Sequence, residues 1–248
     1  MKQILFKGLF SIVLMISALE TMAQQSTGII YDDNVQVRKV PNFKSIKVSS
    51  AIDLYLTQSN NTKVAVSATN EEIRDHIITE VEDGTLIISL GNDGNWMSWR
   101  KWGNYKTKAY VSVDQLYSIT ATGAADIHII NTLEQPKLRI SLTGASDVKG
   151  DVKLGTLSID CTGASNVELN GKAEDVVIHM TGASNATLYG LSVKGADINA
   201  TGASDVKVNV SELLKVRATG ASNVYYKGAV ITTDINTSGA AKAKRRND

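Results

Sequence analysis

The sequence predicts an all-β protein: a right-handed parallel β-helix or closely related β-solenoid with coils of about 19 residues and a less regular N-terminal β portion. Three observations carry this. The pentapeptide Thr143-Gly144-Ala145-Ser146-Asp147 recurs in seven copies, at Thr122, Thr143, Thr162, Thr181, Thr201, Thr219 and, in degenerate form, Ser238. The starts fall 21, 19, 19, 20, 18 and 19 residues apart. Within each copy apolar and polar residues alternate with period two, and the intervals leave no room for a crossover helix.

The first 23 residues read as a secretory signal peptide. Lys2 and Lys7 precede or flank an apolar stretch from Leu9 to Leu19, and Thr21 and Ala23 supply small residues before a cleavage point. That stretch is too short to span a bilayer as a helix, and no cysteine follows it to carry a lipid. Residues 24–39 form a mature N-terminal segment. Residues 40–241 form a single β-helical domain, with 40–115 less regular and 116–241 holding the regular repeats, and residues 242–248 make a basic tail. Without the leader, which takes Lys2, Lys7 and Glu20 with it, basic and acidic residues are equal in number. A neutral chain gives no electrostatic reason to expect nucleic acid. Cys161 is the only cysteine, so no intramolecular disulfide forms and stability rests on packing and backbone pairing.

In chain order, an early rung spans residues 42–56. Ile46 and Val48 alternate with Lys47, Ser49-Ser50-Ala51 stands where Thr-Gly-Ala stands later, and Asp53-Leu54-Tyr55-Leu56 follows. Val64 to Ala68 and Leu86 to Leu90 read as strands, the polar segment from Asn70 to Glu80 suits a short helical turn, and Asp83-Gly84 suits a hairpin turn. Residues 91–106 break the pattern. Loop chemistry at Gly91-Asn92-Asp93-Gly94 leads into Trp96, Trp99, Trp102 and Tyr105, spaced by three. Two readings stay open: an aromatic platform for sugars or a membrane interface, or an insertion that folds back to cap the core. Lys108 to Val113 then resumes alternation.

Aligning the repeats on their Thr or Ser gives fixed offsets. Three positions before it stand Ile119, Ile140, Ile159, Ile178, Ile198, Val216 and Ile235, all β-branched and apolar. Inward positions are also expected one before (Ala121, Leu142, Cys161, Met180, Ala200, Ala218, Thr237) and five before (Tyr117, Leu138, Leu157, Val176, Ala196, Leu214, Thr233). Two before stand only polar residues, among them Asp160, His179, Asn199 and Arg217. Each repeat therefore holds two short strands joined by tight turns, and neither apolar face is buried until coils stack at about 4.8 Å. In the corner, Gly provides a conformation closed to residues with a Cβ, Ala keeps the turn narrow, and the Asp or Asn bonds turn amides or its counterparts on neighbouring coils. A calcium site is the competing reading of the motif. The alternation of Asp with Asn and the lack of a Gly-Gly-x-Gly-x-Asp pattern argue against it, and no metal is expected.

Chemistry finds little foothold. Asp160, His179, Asn199 and Arg217 should form an outward row, with Asp197, Lys215 and Asp234 alongside. The alternative function, a polysaccharide hydrolase or lyase, would use Asp160 and Asp197, about two coils or roughly 10 Å apart. Cys161 belongs to an inward ladder and reads as a buried small hydrophobe. His76 and His128 lack partners at metal-ligand spacing, and no phosphate-binding loop or nucleophile elbow is present, so no cofactor is expected.

The signal peptide, the degenerate early rung and the repeated Gly-Ala-Ser-Asp/Asn-Val coils together resemble the family described as putative autotransporter adhesin, head GIN domain, over roughly residues 40–241. The resemblance implies an exported bacterial β-helical protein of the cell envelope with no catalytic residues to carry over. The expectation is an exported, non-enzymatic adhesin-like or structural protein, in the periplasm, on the outer surface or outside the cell. A glycan, a surface protein or a second copy would be its partner, and no transmembrane segment remains after cleavage. The ligand contacts expected are Trp96, Trp99, Trp102, Tyr105, Asp160, His179, Asn199 and Arg217.

Overall fold

The computed structural model describes residues 34–91 and 105–246. The expected signal peptide and the three tryptophans lie outside them. The described residues belong to one compact unit, and stacked parallel coils of about 19 residues make a β-solenoid of about 7 turns. Among the described residues no helix is long and apolar enough to cross a membrane.

The regular part runs through β8 (Ser118–Gly123), β9 (Asp126–Ile129), β10 (Leu133–Gly144), β11 (Asp147–Gly163), β12 (Asn166–Gly182), β13 (Asn185–Gly202), β14 (Asp205–Ala218), β15 (Asn223–Lys227), β16 (Thr232–Thr237) and β17 (Lys242–Arg245). Every paired strand here is parallel, and the pairing follows the repeat apart from register shifts between β12 and β13 and between β13 and β14: Ile140 faces Ile119 and Ile159, and Gly163 faces Gly144 and Gly182. The apolar ladders meet in one core, where Ile119, Ile140, Ile159, Ile178, Ile198 and Val216 have no exposed surface. Burying each such side chain is worth about 1.5–3 kcal/mol, and no single coil could do so alone.

The expectation of two strands per coil needs correction. In β11 the inward residues are Val148, then Val152 and Leu154, then Leu157, Ile159 and Cys161: Gly150, with φ 150°, interrupts the first run without changing its parity, and the alternation slips by one residue at Gly155-Thr156. To keep all three runs on one core the chain must turn at the glycine and at the slip. Each coil therefore has a face before the corner motif, a face after it and a closing face between coils. The sequence reading overlooked the closing run because Gly150, Gly155 and Gly171 interrupt its apolar pattern; a Cβ at Gly155 would sit 2.6 Å from the Pro136 carbonyl oxygen.

Within the corner motif the residue that points inward is the serine, which the sequence reading did not single out. Ala124, Ala145, Ala164, Ala183, Ala203 and Ala221 are exposed, whereas Ser146, Ser165, Ser184, Ser204 and Ser222 are fully buried. A buried hydroxyl needs a partner, and the coil beneath provides it. Ser165 Oγ donates to the Gly144 carbonyl at 3.3 Å, Ser184 Oγ to Gly163 at 3.2 Å and Ser204 Oγ to Gly182 at 3.3 Å. The same carbonyls accept the Ala164, Ala183 and Ala203 amides at 2.8 Å.

The N-terminal part stacks out of sequence order. The early rung, β2 (Ser45–Ser50) and β3 (Ile52–Gln58), aligns with the repeats as expected, with Ile46 facing Ile119, Ser50 facing Gly123 and Leu54 facing Ile127. On its other side lie β6 (Thr85–Leu90) and β7 (Thr107–Val113), also parallel. Beyond them β4 (Lys63–Ala68) and β5 (Ile77–Glu82) pair antiparallel to β7 and β6, and β1 (Gln36–Arg38) pairs antiparallel to β4. The turn Asp83-Gly84 has positive φ at both residues, 47° and 71°, the hairpin geometry its sequence demands. Between β4 and β5, α1 (Glu71–Asp75) is capped by Asn70, whose Oδ1 accepts the Ile73 amide at 2.9 Å, and it buries Ile73 in the core. The insertion leaves from the end of β6 and returns before β7, so its two ends lie at the corner next to Ser50-Ala51.

Candidate functional site

The face before the corner carries the row expected from sequence. Asp160, His179, Asn199 and Arg217 are consecutive register partners. Arg139 Nη2 lies 3.0 Å from Asp160 Oδ2, yet that oxygen accepts no well-aligned hydrogen bond, so the contact is an ion pair made off the N–H axis. Asp197 is approached by Lys215 at 3.6 Å and Arg217 at 4.0 Å. Asn199 Nδ2 lies 3.4 Å from His179 Nδ1, and the imidazole is exposed. Both carboxylates of the hydrolase alternative thus face cations. The row is a flat, self-satisfied polar surface.

The inward assignment fails at two places on this face. Tyr117 is 49% exposed, because the chain enters β8 from the turn at Asp114-Gln115 rather than from a closing run. In β16 every residue is exposed, including Thr233, Ile235 and Thr237. That coil has a stacking partner on one side only among the described residues.

The face after the corner carries two outward ladders. The first is Asp53, Asp126, Asp147, Asn166, Asn185, Asp205, Asn223 and Lys242. Its amides bond along the stack, from Asn166 Nδ2 to Asp147 Oδ1 at 2.7 Å, Asn185 to Asn166 at 2.9 Å and Asn223 to Asp205 at 2.8 Å. Of the two roles expected for these residues, coil-to-coil bonding is the one seen. At the N-terminal end three carboxylates follow one another without an amide between them. Burial and then the Asp126 charge push the Asp53 carboxyl above its usual range.

The second ladder runs Tyr110, Tyr55, His128, Lys149, Glu168, Thr187, Lys207, Tyr225 and Lys244. Tyr55 stacks on Tyr110 with ring centroids 5.2 Å apart and on His128 at 4.9 Å. Burial, then the charge of Lys149, lowers the proton affinity of His128. Sequence reasoning missed this ladder, although from Tyr55 onward its members stand six residues after each motif Thr or Ser. Between the two ladders runs a groove of about 600 Å³ across four coils, lined among others by Asp147, Lys149, Asn166, Glu168, Asn185 and Lys207. A second groove of about 710 Å³ lies near the N-terminal end beside Asn42, Lys44, Asp83, Asp114 and Tyr117, with Lys44 Nζ 5.3 Å from the Tyr117 ring centre.

Of the aromatic residues expected to contact ligand, Tyr105 is partly buried and packs on the core; Trp96, Trp99 and Trp102 fall outside the described residues. Cys161 is buried, and its thiol is pushed up to about 12 by burial, with Asp160 adding to the shift. Among the described residues no three His, Cys, Asp or Glu side chains converge as a metal set.

A family model described as "Putative auto-transporter adhesin, head GIN domain" matches residues 42–229. Among solved structures the chain is similar to a putative adhesin from Bacteroides fragilis, at 22% identity and a TM-score of 0.75 over 87% of this chain and 98% of that one. It is also similar to a putative lipid binding protein from Parabacteroides distasonis and a putative adhesin from Parabacteroides merdae. Each of these is 17% identical with a TM-score of 0.66 over 87% of this chain and 98% of the other. At these identities the likeness shows the shared fold. No curated protein matches the chain.

Proposed function

The chain belongs to the family of putative auto-transporter adhesins with a head GIN domain, and from that premise we propose that it is an exported, non-enzymatic binding protein of the cell envelope. Its ligand, an extended glycan, lies along the face after the corner. The observation that carries this reading is the groove spanning four coils between the amide ladder and the Lys149, Glu168, Thr187, Lys207 ladder. Sugar hydroxyls are both donors and acceptors, and this lining alternates carboxylate, amide, hydroxyl and ammonium groups at a spacing of about 4.8 Å. The amides already bond one another, so the groove is held rigid before a ligand arrives. The row of Asp160, His179, Asn199 and Arg217 offers a flat surface with its charges paired and is the weaker contact face.

A glycan array probed with the purified chain tests this. Binding should fall at least about tenfold in Glu168→Ala/Thr187→Ala and persist in His179→Ser/Arg217→Ala. Binding lost only in Trp96→Ala/Trp99→Ala would move the site to the aromatic insertion. Turnover of a polysaccharide that disappears in Asp160→Asn would overturn the non-enzymatic reading altogether.

A further inference from the structure

The C-terminal end of the same face differs from the rest of it in charge. On the last three coils the outward positions of β14, β15 and β17 and the residue after β17 place Lys207, Lys227, Lys242, Lys244 and Arg246 on one surface. Two tyrosine rings lie among them. Arg246 sits over Tyr225 with its guanidinium carbon 4.8 Å from the ring centre, and Lys227 sits over Tyr189 at 5.3 Å. On this face the carboxylate among the described residues of these strands is Asp205, and the Asn223 amide already donates to it at 2.8 Å. Elsewhere on the solenoid cations stand beside carboxylates, as Arg139 does with Asp160, Lys153 with Glu134 and Lys194 with Glu174. The whole sequence carries a formal net charge of only +1, so this end is a local concentration of charge rather than a share of a basic surface.

Resting on the glycan reading above, we infer that this end takes an anionic polysaccharide, one bearing carboxylate or sulfate groups. Lys207 and Lys244 occupy the same ladder two rungs apart, about 10 Å, with Tyr225 between them. A polymer lying along the solenoid axis would meet a cation, then an aromatic face, then a cation, and charged groups repeating along its chain would fall on the ammonium groups in turn. The ladder is continuous with the groove, which ends at Lys207. An anionic membrane is the competing partner. Surface binding of that kind couples cations with apolar side chains on the same plane, and here the exposed Leu213 and Ile231 lie at the junction of the closing face with the face before the corner, away from these rungs.

The test uses the whole chain with dextran sulfate and polygalacturonate as probes, neutral dextran as control, and phosphatidylglycerol and phosphatidylcholine vesicles as the lipid arm. Both anionic polymers should bind at low salt, weaken as salt rises through screening, and bind about tenfold more weakly to Lys207→Gln/Lys244→Gln/Arg246→Gln, since three surface charge contacts are lost. Lys153→Gln/Lys194→Gln, which removes cations from the closing face, should bind as the parent does. Neutral-glycan binding that survives the triple variant but not Glu168→Ala/Thr187→Ala keeps the groove reading separate from this one. Unchanged polymer binding in the triple variant, no polymer binding at low salt, or binding confined to phosphatidylglycerol vesicles would each overturn the assignment.

Discussion

Replacing Gly182 by alanine tests the corner most directly. Gly182 has a φ of +97°, and a Cβ built on it would sit 2.5 Å from the Gly163 carbonyl oxygen and 3.1 Å from the Gly163 nitrogen. Positive φ alone costs a residue with a Cβ about 1–2 kcal/mol. Relieving the contact means lifting one coil off the next, at the very carbonyl that accepts the Ala183 amide at 2.8 Å and the Ser184 hydroxyl at 3.2 Å. Weakening those two bonds adds about 1 kcal/mol each, so the total is about 3–4 kcal/mol. With a urea m-value of about 2 kcal/mol/M for a domain of this size, the midpoint should drop by about 1.5–2 M. Gly182→Val should be at least as damaging, and the exposed His179→Ser should stay within about 0.5 kcal/mol of the parent. The protein contains its own control: Ser50 occupies the same corner with φ 70° and carries a side chain. There the pairing with the coil beneath ends at Val48 and Ile88, before the corner. A Gly182→Ala protein with its midpoint unmoved at the parental m-value would refute both the clash and the coil stacking that creates it.

Three further predictions follow from the ladders. Ser184→Ala removes the hydroxyl that donates to Gly163 and should cost about 1 kcal/mol by urea unfolding; a neutral result would show that the buried serines serve only as small side chains. Asp53→Asn should stabilise the protein at pH 7 by about 0.5–1 kcal/mol, a figure kept low because the group is partly exposed. The folded carboxyl is held above its ordinary value, so the cost of its charge is present at high pH and disappears as pH falls through the folded and then the ordinary value. The gain of the Asn variant should vanish below about pH 4, and a gain that persists at pH 3 would exclude the electrostatic cause. Cys161, with its thiol pushed up to about 12 and its side chain buried, should resist iodoacetamide at pH 8 in the native protein and react once urea unfolds it; rapid native labelling would place it outside the core.

The regular coils were legible because one physical constraint acts on every turn. An inward residue that must face its own counterpart a coil away repeats at the period of the coil, and Ile119 through Val216 show that period without structure. The glycine corners were legible for the same reason. Which corner residue faces inward was not, since Ala and Ser are both small and differ only in that Ser184 can satisfy a carbonyl when buried. The closing run was hidden because an inward position without a side chain at Gly150 and a slip in alternation at Gly155-Thr156 defeat a period-two template. The order of the first coils was hidden for another reason. The β6/β7 coil stacks outside β2/β3, although it follows them in the chain, and the β8/β9 coil joins the opposite side. Such an order is decided by which strand edge remains unpaired when the chain returns, a long-range property that no window of sequence reports.

The candidate site stood at the edge of what the repeat could reveal. Offsets from the motif place Tyr55, His128, Lys149, Glu168, Thr187, Lys207, Tyr225 and Lys244 on one line, yet these residues share no chemistry, and a search for sameness passes over them. Their diversity is itself informative. Inward positions are held to a narrow range by packing density, where one methylene is felt, and the amide ladder is held by its bonds from coil to coil. The second ladder carries neither constraint along most of its length, so its composition is free to answer to a ligand. It changes from stacked aromatics at Tyr110, Tyr55 and His128 to mixed charge at Lys149 and Glu168 and to cations with tyrosine at Lys207, Tyr225 and Lys244. On a scaffold whose rungs are about 4.8 Å apart, that gradient makes the two ends of the face chemically different, and under the glycan proposal it would set the direction in which an extended polymer lies.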